Sequence, residues 1–243
     1  MAYKACIFDF DLTLADSSKG ILICFKHVLE QFGYPPKDDK TIYDTIGMTL
    51  VDAFDLLTDT PNNPQREDMR VAYVKKADEV MVKNTFFYSD VIAAMKDLRA
   101  KGVKIGICST KYRYRIADTF AAQAGETPAD LIIGGEDVPS GMAKPDPCGL
   151  LKCIEGLGAE KSETLYVGDS YIDAETAQRA GVDFAGVLTG STMAEDFANY
   201  PNVLIAQGAA DVMAVRINSK KISNKSLTTL DIEPKKWYNI MIG

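Results

Sequence analysis

Two aspartates one residue apart, Asp9 and Asp11, directly follow the short apolar run "ACIF" at 5–8. Ser109, Thr110 and Lys111 follow a second run, "VKIGIC" (103–108), and Asp169 and Asp173 follow "TLYVG" (164–168). Lys144 stands in "GMAKPDP", ahead of a helical pattern. In open parallel sheets, ligands collect at the carboxyl ends of the strands, beside the point where strand order reverses. If these runs are such strands, carboxylates, hydroxyls and a lysine converge on one edge. That inventory suits phosphoryl transfer. A carboxylate can attack phosphorus once a cation offsets the repulsion between two anions, and magnesium, a hard ion with oxygen ligands, does this. The attack divides one difficult hydrolysis into two easier steps. A second carboxyl group can protonate the leaving oxygen and later take a proton from water. A hydroxyl and a lysine can hold the phosphoryl oxygens.

The elements that would position these groups are legible as alternating patterns. Candidate strands are 5–8, 103–108, "DLIIG" (130–134), 164–168 and "DFAGVL" (183–188), continuous apolar runs that suit strands covered on both faces. Between them, "DVIAAMKDLRAKG", "DPCGLLKCIEGLG" and "DAETAQRAG" read as helices. The alternation predicts an α/β fold, a Rossmann-like parallel sheet with helices on both faces. Residues 16–88 break the rhythm. "SSKGILICFKHVLEQFG" opens with a serine in capping position and carries Ile21, Leu22, Phe25, Val28, Leu29 and Phe32 on one stripe. "TLVDAFDLL" and residues 64–84 are further helices, so an all-helical unit is expected between the first and second strands. The expected division is a core of 1–15 and 89–216, a helical cap of 16–88 hinged near Asp16 and Ser89, and an extension of 217–243. That extension is lysine-rich and ends apolar; a tail, an added strand or an arm packing Trp237 and Ile240 all fit it.

The 243 residues carry 27 basic and 34 acidic side chains, a formal charge of -7. This acidic balance argues against a general nucleic-acid binder. Five cysteines (Cys6, Cys24, Cys108, Cys148, Cys153) lack paired spacing and read as thiols, several of them in apolar runs, and His27 has no partner histidine. Neither a zinc site nor a histidine-based hydrolase is expected. No window has the length of a membrane span, and acids interrupt any signal-like run at the N-terminus, so the expectation is a cytoplasmic protein, monomeric or a homodimer.

The ordered set "DFDLT", "CST", "KPDP" and "GDSYID" resembles the four motifs of the haloacid dehalogenase superfamily, in particular its phosphatases with a helical cap, and within these it resembles the phosphoglycolate phosphatase branch. The resemblance reaches from the N-terminus to about residue 216. It implies that Asp9 is the nucleophile and Asp11 the general acid/base. Magnesium would be held by Asp9, Asp169 and the Asp11 carbonyl. Ser109 and the Thr110 loop would bind the phosphoryl group with Lys144, and Asp173 would support Lys144 or a metal-bound water. The implied substrate is a small phosphorylated metabolite. The same core also serves phosphosugar mutases, pyrophosphatases and nucleotidases, and a binding protein that lost turnover is the remaining alternative. Dehalogenase chemistry needs neither a metal nor the second aspartate, so Asp11 and Asp169 count against it.

Several residues have a plainer reading. Asp169, Ser109 and Thr110 could cap the helices that follow them. Lys111, Arg113 and Arg115 read as solvated and stay outside the expected site. "TIGMT" around Gly47 is either a substrate-closing loop or a simple turn. The cap's Met and aromatic residues read as core. Three positions depart from the family's pattern: Leu12 stands where many relatives have glycine, Ser109-Thr110 replaces a common Thr-Asn, and "YSDV" (88–91) replaces a Tyr-Pro-Gly turn.

Overall fold

The structure, a computed structural model, describes residues 3–216. The extension 217–243, with Trp237 and Ile240, lies outside the described residues. The chain opens with β1 (Ala5–Phe8), whose four side chains alternate between two cores. Cys6 and Phe8 enter one apolar cluster, Ala5 and Ile7 the other, and all four are fully buried. This explains the unbroken apolar run: a strand covered on both faces has no solvent side to mark with polar residues.

A two-residue strand, β2 (Ala15–Asp16), leads into α1 (Ser18–Gln31), α2 (Asp39–Tyr43), α3 (Leu50–Leu57) and α4 (Arg66–Val80). The chain returns through β3 (Phe86–Phe87), antiparallel to β2 with Ala15 opposite Phe87. The sequence pattern showed neither strand, because two residues are too few for a periodicity to register. The helical unit has its own apolar cluster, in which the α1 stripe meets α3 and α4; Phe25 stacks edge-on against Phe54 at 5.1 Å and tilts against Tyr73 at 4.8 Å.

One expected cap is not formed. The Ser17 hydroxyl makes no capping bond to α1 and instead donates to Asp11 Oδ1 at 2.5 Å. Asp16 takes over that end, its Oδ1 accepting from the Ser18 N–H at 2.9 Å and the Ser18 hydroxyl at 2.6 Å.

The rest of the chain alternates: α5 (Val91–Ala100), β4 (Lys104–Cys108), α6 (Arg113–Ala124), β5 (Leu131–Ile133), α7 (Cys148–Gly156), β6 (Thr164–Gly168), α8 (Tyr171–Ala180), β7 (Asp183–Val187), α9 (Ala194–Phe197), β8 (Leu204–Ala206) and α10 (Ala209–Arg216). The six-stranded sheet has the order β5-β4-β1-β6-β7-β8, with every pair parallel. Strand β8 is an addition to the five expected; it is short and lies at the sheet edge, although its run Val203-Leu204-Ile205-Ala206 is as continuously apolar as that of β1. From β1 the chain fills one side of the sheet with β4 and β5, then crosses to the other with β6. Strand order therefore reverses beside β1, and Phe8 is in register with Ile107 and Val167. No helix among the described residues is long and apolar enough to cross a membrane.

Candidate active site

The reversal brings the ends of β1, β4 and β6 together, and with them most of the residues singled out above. Asp9 leaves β1 with its N–H donating to Val167 O at 2.9 Å and its side chain buried. Lys144 arrives from the loop before α7. Its ammonium lies 2.9 Å from Asp9 Oδ1, 2.6 Å from Asp173 Oδ1 and 3.3 Å from the Tyr166 hydroxyl. The approach to Asp9 pairs the charges without hydrogen-bond geometry, so Asp9 Oδ1 is a buried oxygen that receives no hydrogen bond.

Asp173 is saturated by contrast. Its Oδ1 accepts from Lys144 and, at 2.8 Å, from Tyr166; its Oδ2 accepts from the Ser170 hydroxyl at 2.6 Å and the Ser170 N–H at 3.2 Å. Ser170 reciprocates by accepting from the Asp173 N–H, so Ser170 caps α8. The capping alternative for Asp169 is thereby removed, and its carboxylate faces the site. Thr13 donates to Asp169 Oδ1 at 2.7 Å. A Cβ at Gly190 would overlap the same carboxylate, so only glycine lets this loop close over Asp169.

Oxygens of Asp9, Asp169 and Asp173 all lie within 4.8 Å of one another. Burial foremost pushes the Asp9 carboxyl up to about 6, with Lys144 opposing and Asp173 and Asp11 adding to the rise. Burial, then Asp173 and Asp9, raises Asp169 well above the carboxylate range. For Lys144 burial alone favours the neutral amine, but Asp173 and Asp9 override it and hold the ammonium above its ordinary value. The cluster is thus short of positive charge. Among the described residues, Asp9, Asp11, Asp169 and Asp173 face two ammonium groups, those of Lys111 and Lys144, and one divalent cation would make good the deficit of two. All the donors are hard oxygens, which suits magnesium. Asp9 and Asp169 have oxygens to spare for it, whereas both oxygens of Asp173 are engaged in holding Lys144 and the start of α8.

Asp11 sits on the side toward the helical unit. Its Oδ1 accepts from Ser17 and, at 2.6 Å, from the Lys111 ammonium. Lys111 was expected among solvated residues; it is buried, 8% exposed. Position two residues beyond Ser109 was the available signal, and the side-chain direction was not readable. Arg115 is buried too, but it reaches away to Asp78 Oδ1 at 2.7 Å and Val74 O at 2.8 Å on α4. Arg113 pairs with Asp137 at 3.2 Å, outside the cluster. Thr13, Ser17 and Tyr166 were also missed. Tyr166, a tyrosine within a buried strand, carried a usable signal, since a buried phenol needs a hydrogen-bond partner.

Ser109 is buried at the end of β4, where its Oγ accepts from the Lys111 N–H at 3.3 Å and its own N–H donates to Ile133 O. Thr110 is half-buried in the same loop, and its carbonyl packs so closely on Gly135 that a Cβ there would overlap it. From the helical unit, the loop at Gly47 (φ +100°) lies against Ser170 and Ile172, and the Tyr43 hydroxyl donates to Thr189 O at 3.2 Å. Two of the departures from the family pattern have a backbone reason. Leu12 (φ 57°) and Asp90 (φ 65°) both hold left-handed conformations, where glycine is easiest. Asp tolerates that region, whereas Leu12 is a costlier occupant, held by its burial in the helical unit's cluster.

A model of the family described as haloacid dehalogenase-like hydrolase matches residues 6–187. The pyrophosphatase PpaX of Halalkalibacterium halodurans is 32% identical over 189 residues, 77% of this chain and 84% of that protein. A phosphoglycolate phosphatase of Aquifex aeolicus is 31% identical over 194 residues, 77% of this chain and 85% of that protein. Among solved structures, a haloacid dehalogenase-like hydrolase from Bacteroides fragilis superposes with a TM-score of 0.83 at 45% identity, covering 86% of this chain and 99% of that one.

Proposed function

The chain belongs to the haloacid dehalogenase-like hydrolases, and on that premise we propose that it is a magnesium-dependent phosphatase of a small phosphorylated metabolite. The observation that carries this reading is the buried Asp9–Lys144–Asp173 array beside Asp169, in which Asp9 keeps an oxygen free of hydrogen bonds.

Asp9 is the nucleophile in this reading. Its carboxylate attacks phosphorus, the ester bond breaks, and an aspartyl phosphate forms. Asp11 gives a proton to the departing oxygen and afterwards takes one from the water that releases phosphate. Lys144, Ser109 and the loop at Thr110 hold the phosphoryl oxygens, and Asp173 keeps the Lys144 ammonium in place. Magnesium, held by Asp9, Asp169 and the Asp11 carbonyl, would supply charge neutralisation for the approach of two anions. Residues 16–88 serve as a cap that excludes bulk water and carries selecting side chains, the Gly47 loop among them. The names of the relatives make phosphoglycolate and pyrophosphate the first two substrates to try.

The test is phosphate release from an aryl phosphate with magnesium, comparing wild type and Asp9→Asn. Loss on the order of 10⁴-fold or more is expected, with the far-UV circular dichroism unchanged and with chelation of magnesium silencing the wild type. Turnover retained in Asp9→Asn would overturn the nucleophile assignment.

A further inference from the structure

Lys111 is the buried cation for which the catalytic scheme has no use. Its backbone is pinned, the N–H donating to Ser109 Oγ and the carbonyl accepting from the Gly135 N–H, so only the ammonium end is free to move. An ammonium carries three donors. Among the described residues Asp11 Oδ1 takes one, at 2.6 Å, and no other acceptor is in contact. The Phe10 ring lies 5.7 Å from the Nζ, an apolar wall that strengthens any charge pair formed there. Asp11 does not depend on Lys111 alone, since Ser17 donates to the same oxygen.

The other cations nearby are spent. Lys144 is shared between Asp9 and Asp173, Arg115 is committed to Asp78 and Val74 O, and Arg70 to Glu67 and the Tyr112 hydroxyl. Toward the helical unit, burial foremost, with Cys24 and Asp11 adding to it, raises the Tyr73 phenol well above its ordinary value, so it is a neutral hydroxyl. Among the described residues, the side of Asp11 facing the helices therefore offers one cation with spare donors in a desolvated setting.

We infer that Lys111 selects the leaving group: its ammonium receives an anionic group, a carboxylate or a second phosphoryl, carried by the half of the substrate that departs. This deepens the phosphatase reading and rests on its placement of the leaving oxygen at Asp11. The Nζ then lies roughly 5 Å from that oxygen, two hydrogen-bond lengths. An anion two or three bonds beyond the bridging oxygen spans the gap, and esters of neutral alcohols leave it unfilled.

The test compares kcat/KM for phosphoglycolate and pyrophosphate with that for 2-hydroxyethyl phosphate, the neutral counterpart of phosphoglycolate, in wild type, Lys111→Met and Lys111→Arg. Wild type is expected to prefer at least one anionic substrate, and which one identifies the anion. Lys111→Met should collapse that preference by on the order of 100-fold, mainly through KM, and Lys111→Arg should keep most of it. An equal loss on charged and neutral substrates would overturn the inference, because it would make Lys111 only a support for Asp11. A wild-type preference near one would overturn it too, and this readout needs no variant that folds. If wild type hydrolyses none of the three esters nor an aryl phosphate, the phosphatase reading itself fails; hydrolysis without charge preference sinks the role of Lys111 alone.

Discussion

Replacing Lys144 with methionine isolates what the buried ammonium contributes. Its side chain is 5% exposed, between Asp9 and Asp173 at 5% and 1%. Removing one partner of a buried charge pair costs about 3–5 kcal/mol, because the other partner is left uncompensated. The two carboxylates differ in how much they lose. Asp173 keeps Tyr166 and two donors from Ser170, whereas Asp9 Oδ1 has no hydrogen bond to fall back on. The cost should fall mostly on Asp9, which puts the expected loss near the lower end, about 3 kcal/mol. Adding Asp9→Asn removes the bare charge, so the double variant should be more stable than Lys144→Met alone by about 1–3 kcal/mol. The assay is urea unfolding at pH 8 in chelator, so that no divalent cation substitutes for the lysine. Far-UV circular dichroism is the probe, because the single tryptophan, Trp237, lies outside the described fold. With an m-value of about 3 kcal/mol/M, the loss appears as a midpoint shift of about 1 M. At pH 5 the loss should shrink: Asp9, pushed up to about 6 with Lys144 present, rises further without it and takes up a proton instead of standing bare. A variant within 1 kcal/mol of wild type at pH 8, or a double variant no more stable than the single one, would refute this reasoning.

Gly190→Ala places a methyl group against the Asp169 carboxylate. It should cost about 1–3 kcal/mol of stability and weaken magnesium binding about tenfold or more, both measurable by calorimetry; unchanged magnesium affinity would remove Asp169 from the metal set. Burial pushes the Cys24 and Cys108 thiols up to about 12 and raises Cys6 and Cys153 further, while Cys148 is half-buried. A thiol reagent at pH 8 should therefore modify one cysteine per native chain, Cys148 by peptide mapping, and the rest only on unfolding. Rapid labelling of Cys24 would instead show that the helical unit opens.

The amino-acid sequence by itself determined the parallel core and which strand ends carry reactive groups. Strands covered on both faces must be apolar throughout, and Asp9, Ser109 and Asp169 each stand at the end of such a run. The helical stripe of α1 was equally legible, since one face of that helix has to be buried. Tertiary structure alone decided the partners. Lys111 meets Asp11 across 100 residues because β4 flanks β1, and Lys144 meets Asp9 from the long loop that joins β5, on the far side of β4, to α7. Which way a lysine points is set by that neighbourhood and by burial, neither of which a linear pattern encodes, so Lys111 read as solvated and Ser17 as a helix cap. Their hydrogen-bonding groups were plain in the sequence; the acceptor they share, Asp11 Oδ1, became visible only when the sheet had formed.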